Sequence, residues 1–281
     1  MSEVKLTIDY DQYEAGRKMK ELLEELANGP EGRELTSLII GDWGGSYEND
    51  SGEIVETLVA CKDRFPKLRK LFIGDMDSEE CEVSWIMQSN LAPLLSAYPE
   101  LTSLTIKGGS GLELEPAGHE KLKELVIICG GLGKNVLSSI GSGRFPELNK
   151  LEVYLGVEDY GFDGGLEDVL PLAEPRRFPK LTYLGLKNSE LQDEIAIALA
   201  DAPILDQLHT LDLSMGTLTD KGAEALIGSG KAAKLQKLDL SYHYMSDKMM
   251  LRWKQSGLNV DMSDQQDADE DEDYRYPSLT E

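Results

Sequence analysis

The side chains able to do covalent or metal chemistry are few and poorly placed for it. The three histidines, His119, His209 and His243, are scattered along the chain, and no serine or cysteine word of the nucleophile-elbow kind precedes any of them. A Ser-His-Asp constellation would have to be assembled from distant segments. Cys61, Cys81 and Cys129 stand singly among apolar neighbours, with neither the paired spacing of a zinc site nor the even count of a disulfide framework, and they read as reduced packing residues. The glycine words GGSG (108–111) and GGLGK (130–134) are of the kind that cradles phosphate. A P-loop closing on Gly133-Lys134, however, needs glycine where Ile128 stands and a hydroxyl where Asn135 stands. The expectation is a non-enzyme with no catalytic residue, no metal and no cofactor.

Recognition chemistry is better represented. A formal net charge of −24 disfavours nucleic acid and anionic membrane as partners and favours a basic protein, with solubility alone as the plainer use of the charge. No run approaches the roughly 18 apolar residues of a membrane span. The opening MSEVKLTIDYDQ lacks the basic and apolar regions of a secretory leader, so a cytoplasmic protein is expected, by default a monomer.

A repeat must position these groups. Leu208, Leu211 and Leu213 return 27 positions later as Leu235, Leu238 and Leu240, and LTDKGAEAL (218–226) returns as MSDKMMLRW (245–253). With LxxLxL as a probe, copies begin at Leu35, Leu68, Leu101, Leu122, Leu148, Leu181, Leu208 and Leu235, separated by 33, 33, 21, 26, 33, 27 and 27 positions. Each copy predicts a short strand with alternate residues facing a core, followed by a helix that returns the chain, so that successive strands lie parallel. In the clearest unit Thr219 suits an N-cap, Asp220 suits the helix dipole, and Ala223, Leu226 and Ile227 form an apolar stripe. Other helices are expected near 54–63, 84–97, 165–172, 193–200 and 247–255. Phe65-Pro66, Tyr98-Pro99, Phe145-Pro146 and Phe178-Pro179 each precede a strand, where the ring can pack under a turn while proline stops the helix. The repeat from Leu101 is too short for a helix, and Leu112 and Leu114 should cross it as an extended segment.

A stack of repeats needs closed ends. A strand over 4–8 and a helix over 13–27 serve as an N-terminal cap, and Val260 and Met262 provide a closing strand. The expected organisation is one repeat domain over 1–263, with 1–34 as its cap, repeats from about 35 and a last strand near 260. An acidic tail covers 264–281, in which Tyr274, Arg275 and Tyr276 could dock where the run Asp264 to Asp273 could not.

In this register the chain resembles the leucine-rich-repeat superfamily, in its ribonuclease-inhibitor-like class of strand plus full helix. GDWGGSYE (41–48), EECEVSWI (79–86), YLGVEDYG (154–161) and VDMSDQQ (260–266) are more narrowly similar to a bacterial leucine-rich-repeat family of uncharacterised function. The resemblance implies an α/β solenoid, a horseshoe with a parallel sheet on its concave face and helices on its convex face. It brings no activity with it.

Two surfaces then become candidates. On the concave face the position between the last two core residues reads Ile39, Phe72, Thr105, Val126, Glu152, Gly185, Asp212, Asp239, Asp261, so an acidic column closes the array at a strand spacing of about 4.8 Å. Lys237 and the serines Ser214, Ser241 and Ser263 accompany it, and His243 and Tyr244, at a strand exit, are added to the concave set with His243 expected to be exposed. On the rim formed by loops after the early strands stand Asp42, Trp43, Tyr47, Glu48, Glu79, Glu82, Trp85, His119, Tyr154, Asp159 and Tyr160. Aromatic rings beside carboxylates on long loops are the material of interaction hot spots, although Trp43 and Trp85 could instead fill gaps between unequal repeats, Trp85 the more so because it opens a helix in phase with Ile86 and Leu94. The function expected is a non-catalytic protein-recognition scaffold for a basic protein partner. The alternative is a small-molecule or accessory enzyme pocket closed by Trp43, Tyr47, Trp85 and Tyr160.

Overall fold

The structure is a computed structural model that describes residues 2–267 and 275–281. The part of the tail at 268–274, Tyr274 included, lies outside the described residues. Ten strands form one open parallel sheet in chain order: β1 (Ser2–Leu6), β2 (Leu35–Ile40), β3 (Lys70–Ile73), β4 (Ser103–Lys107), β5 (Glu124–Ile128), β6 (Lys150–Gly156), β7 (Tyr183–Ser189), β8 (Thr210–Asp212), β9 (Lys237–Asp239) and β10 (Val260–Asp261). The helices are α1 (Tyr10–Glu14), α2 (Met19–Asn28), α3 (Gly52–Ala60), α4 (Ala92–Ala97), α5 (Lys134–Ser142), α6 (Leu166–Val169), α7 (Gln192–Leu199), α8 (Asp220–Gly228) and α9 (Asp247–Ser256). The molecule is an α/β leucine-rich solenoid, with the sheet on the concave side and the helices on the convex side.

One continuous core runs between the two layers. The three apolar residues of every LxxLxL copy are buried except Leu235, which is half-buried at the end of the array. Phe65, Tyr98, Phe145 and Phe178 stack beneath the turns that lead into β3, β4, β6 and β7. In each turn the amide three residues on donates to the aromatic residue's carbonyl: Leu68 at 3.2 Å, Leu101 at 2.9 Å, Leu148 at 3.3 Å and Leu181 at 3.1 Å. Proline at the second position pre-sets the turn and the following leucine enters the core, so Phe/Tyr-Pro-x-Leu is a self-contained strand-entry device.

The regular repeats are stapled to one another by the acid that follows each helix cap. Thr219 caps α8 and Ser246 caps α9. Asp193 accepts from the Thr219 amide at 2.8 Å and hydroxyl at 2.6 Å, and Asp220 accepts from the Ser246 amide at 2.7 Å and hydroxyl at 2.6 Å. The acid of one unit thus satisfies the helix entry of the next, which gives the LTD and MSD words their mechanism.

The irregular half departs from the expected helices in several places. The cap helix over 13–27 is broken into α1 and α2, the helix over 165–172 is reduced to α6 and a 3-10 turn over Leu170–Ala173, and α5 forms where no helix was expected. The largest change lies at 84–97. Instead of a helix over 84–97, Val83–Trp85 make a single 3-10 turn and α4 begins only at Ala92. Between them Met87 and Asn90 pair in parallel with Ser110 and Glu113, the extended segment that carries the buried Leu112 and Leu114. A 21-residue repeat has no room for a helix, and its extended return segment needs an extended neighbour to satisfy its backbone, so the preceding repeat gives up most of its helix. The glycine word at 130–134 leads into α5 in the same way that other loops lead into their helices. The Lys134 amide there is taken by Asp163 at 2.7 Å, which occupies the position a phosphate would need.

Candidate functional site

Cα pairing across the sheet aligns Ile39, Phe72, Thr105, Val126, Glu152, Gly185, Asp212, Asp239 and Asp261 in one row. The acidic end of that row is not a bare ladder. Gly185 leaves a gap between Glu152 and Asp212; a Cβ there would stand 3.1 Å from Glu152 Cγ and 3.2 Å from Tyr183 Cε1. Lys187, two residues further along β7 and on the same face, reaches across that gap to Glu152 at 3.5 Å and Asp212 at 3.4 Å, with the Tyr154 ring 4.9 Å beneath its amine. Tyr183 donates to Asp212 at 2.6 Å, and Lys150 bonds Glu152 at 2.9 Å while sitting 4.8 Å from the Tyr183 ring. Burial opposes charge on Lys187, but the two carboxylates outweigh it and hold its pKa above the usual lysine value. Burial likewise acts to raise Glu152, yet its lysines bring it below the ordinary carboxylate range. The Tyr183 phenol is pushed far up by burial and by Asp212, and stays a donor at every accessible pH.

The other aspartates are spent on the repeat itself. Asp212, Asp239 and Asp261 each accept the amide of the serine two residues on, at 3.0, 3.1 and 3.1 Å, and the Ser241 and Ser263 hydroxyls add bonds of 2.7 and 2.8 Å. These Asp-x-Ser turns end the strands. Lys237 pairs with Asp239 at 2.7 Å and helps bring that carboxyl below its ordinary value against the opposing effect of burial. The column therefore carries internal cations and local turns, and Lys187 is the member that sequence reasoning missed.

The expected exposure of His243 is not what the fold provides. His243 is fully buried, with Nε2 3.2 Å from the Met262 carbonyl and Nδ1 accepting the Met245 amide at 3.1 Å. Buried His119 has the same arrangement, to the Tyr98 carbonyl at 3.0 Å and the Lys121 amide at 3.1 Å. Both rings tie the residue two positions on to a neighbouring repeat, as neutral Nε2–H tautomers. Burial lowers the His243 pKa from its ordinary 6.5, partly countered by the Met262 carbonyl. Its contribution to stability is complete above pH 6.5 and is lost as the pH falls through the lowered folded value, because the unfolded chain takes up the proton first. The thermal midpoint is expected to fall by a few degrees between pH 7 and pH 5, and the slope to flatten in His243→Gln. Equal slopes would place the titration elsewhere.

The rim residues divide. Trp43 is buried and donates to the Asn49 carbonyl at 2.8 Å, while Asp42 accepts the Gly44 amide and Glu48 accepts the Tyr13 hydroxyl, each at 2.9 Å. Trp85, expected to be core if it opened a helix, is instead 60% exposed, because the 3-10 turn directs it outward; Tyr47 is 55% exposed. Glu79, Glu80, Glu82 and Asp159 are exposed and have no lysine or arginine ion-pair partner among the described residues. Trp43 lines a cleft of about 490 Å³ with Tyr13 and Arg17, and Tyr160 lines another of about 310 Å³ with Gly111 and Asp163. The four rings of the pocket alternative do not close on one cavity.

Among the described residues no helix is long and apolar enough to cross a membrane, and no group of three or more His, Cys, Asp or Glu could hold a metal ion. A family model described as a leucine-rich repeat matches residues 208–226. A crystal structure of a Bacteroides fragilis protein, solved as a structural-genomics target, superposes with a TM-score of 0.90 at 36% identity, covering 99% of this chain and 77% of that one. This chain belongs to the leucine-rich-repeat superfamily. An internalin from Listeria monocytogenes is more distant, with a TM-score of 0.38 and 14% identity over 85% of this chain and 63% of that one. No curated protein matches. Leucine-rich-repeat domains commonly mediate protein–protein interaction and are typically non-enzymatic scaffolds.

Proposed function

We propose that this leucine-rich-repeat protein is a recognition scaffold that takes a basic protein partner on its early-repeat rim. The observation that carries the reading is Trp85, 60% exposed beside three carboxylates, Glu79, Glu80 and Glu82, that lack internal cations. A large ring held in water and flanked by unspent charge is the usual composition of an interface anchor and its rim. The concave column is a weaker address for a cation, since Lys150, Lys187 and Lys237 already pair with Glu152, Asp212 and Asp239. We assign recognition to the repeat domain over 1–263 and treat 264–281 as its appendage.

A complex captured from host extract should weaken as salt rises from 50 to about 500 mM, because exposed charges are screened beyond about 10 Å at 0.1 M. Trp85→Ala and the pair Glu79→Lys, Glu82→Lys should each reduce capture about tenfold or more with the melting point unchanged. Capture that survives both changes would remove the early rim as the binding surface.

A further inference from the structure

Residues 275–281 lie along the strand exits in the direction opposite to the stack, held almost wholly by their main chain. Tyr242 and Tyr244 donate to the Tyr276 carbonyl at 3.2 and 3.0 Å, and Tyr244 accepts the Tyr276 amide at 3.1 Å. The Met215 carbonyl accepts the Ser278 amide at 2.8 Å. Asn188 takes both backbone groups of Leu279, accepting its amide at 2.8 Å and donating to its carbonyl at 2.5 Å. Ser84 donates to the Thr280 carbonyl at 2.6 Å. Among the described residues, only the Tyr160 hydroxyl, 2.7 Å from Glu281 Oε1, bonds a side chain of the segment.

The seat is built for this. Asn188, Met215 and Tyr242 occupy the same position in three successive repeats, three residues past the concave row, and all have positive φ (55°, 67° and 57°). That conformation is uncommon for methionine and tyrosine. Asp264, at the same position of the next repeat, has it too (59°), so it belongs to the strand exit of the repeat, and the segment docks on three of its four copies. Gly130 completes the floor, for a Cβ there would collide with Ser84 Oγ and the Thr280 carbonyl. Pro277, which has no amide to satisfy, is the segment's one buried residue. Arg275 lines a cavity of about 710 Å³ together with Glu190, Asp193, Glu194, Asp220 and Lys221.

We infer that the groove formed by Ser84, Gly130, Asn188, Met215, Tyr242 and Tyr244 is a peptide-binding site, which residues 275–281 fill in cis and a partner's extended basic-aromatic-Pro-x-apolar segment fills in trans. Main-chain reading tolerates changes of sequence, proline suits the unbonded position, and the acidic cavity selects a basic residue ahead of the aromatic one. The tethered segment competes at high effective concentration, so it lowers apparent affinity until displaced. This site adjoins the Trp85 patch at Ser84 but is read by different groups, and it stands whether or not that patch binds a basic protein.

The test titrates a fluorescent peptide, Arg-Tyr-Pro-Ser-Leu-Thr-Glu, into the full chain and into a full-length Ser278→Pro, Leu279→Pro variant, whose tail lacks two of the three amides used for docking. Binding to the double-proline chain should be at least about tenfold tighter than to the parent. It should be lost when Asn188→Gly, which keeps the positive φ without strain, or Gly130→Ala is added. A peptide with glutamate in place of arginine should bind more weakly. The inference is overturned by equal binding to both chains, by binding indifferent to Asn188→Gly and Gly130→Ala, or by a parent dimer that the prolines dissolve, which would make a second copy the occupant. Trp85→Ala should leave peptide affinity unchanged, so failure here and failure of the Trp85 patch are read separately.

Discussion

Lys187→Met is expected to lower unfolding free energy by roughly 3–5 kcal/mol, the cost typical of removing one partner from a buried ionic group. The Lys187 amine lies between Glu152 and Asp212, and all three side chains are nearly excluded from water, at 13, 10 and 7% exposure. Methionine fills the volume and the contact with Tyr154 but leaves two carboxylates across a one-strand gap with too little cation. Lys150 still serves Glu152 and Tyr183 still serves Asp212, so the loss falls short of complete unfolding. Adding Glu152→Gln and Asp212→Asn to Lys187→Met should recover much of the loss, since neutral amides do not need the amine. Urea unfolding of the parent, the single variant and the triple variant makes the comparison. A loss below about 1 kcal/mol for Lys187→Met would mean that water, not Lys187, screens the pair. The same geometry explains why reversing Asp212 to lysine would report on folding and not on a partner.

Trp253→Ala should cost a similar amount, about 3–5 kcal/mol, and reveal where the array is weakest. Trp253 is fully buried on α9, in the slot that Leu226 fills one repeat earlier. Beyond it, among the described residues, the two-residue β10 is the last strand, with Leu258, Val260 and Met262 packed against the core. A solenoid is stabilised by nearest-neighbour contacts, so the cavity should melt α9 and β10 ahead of the rest. Hydrogen exchange should then show early loss of protection over 245–261 while the Phe145 and Phe178 layers remain protected. Uniform loss along the chain would contradict local coupling. Trp85→Ala, which empties no cavity, should stay within about 0.5 kcal/mol of the parent. Trp253 sits on α9 with its ring in the core, whereas Trp85 sits on a 3-10 turn with its ring in water.

Much of the architecture was legible because the repeat imposes parity. Leu211 and Leu213 fix which face Asp212 takes, and the same rule fixes the row from Ile39 to Asp261 across the strands. Helix entry at Thr219 and Ser246 followed from cap chemistry acting within a few residues. Legibility failed where the deciding neighbour is far away in sequence. His243 was expected at the surface from the tyrosines around it, but Met262, 19 residues on, closes over it. Trp85 depended on whether its segment was helical, which the extended strip at 110–114 decided. Lys187 stood two residues from Gly185, on the right face by parity, but its role required seeing that a missing side chain opens a path to strands on both sides.

By itself the sequence determined the class of fold, the strand register, the turns and the apolar layers, all of which depend on residues one period apart and on side-chain alternation. Tertiary structure alone decided which charges remain unspent, which aromatic rings meet water and where the last seven residues lie. Those properties arise from juxtapositions of loops of unequal length, and no local pattern encodes how far one loop overhangs the next. The rim, where the repeat is broken, is therefore the least readable part of this chain.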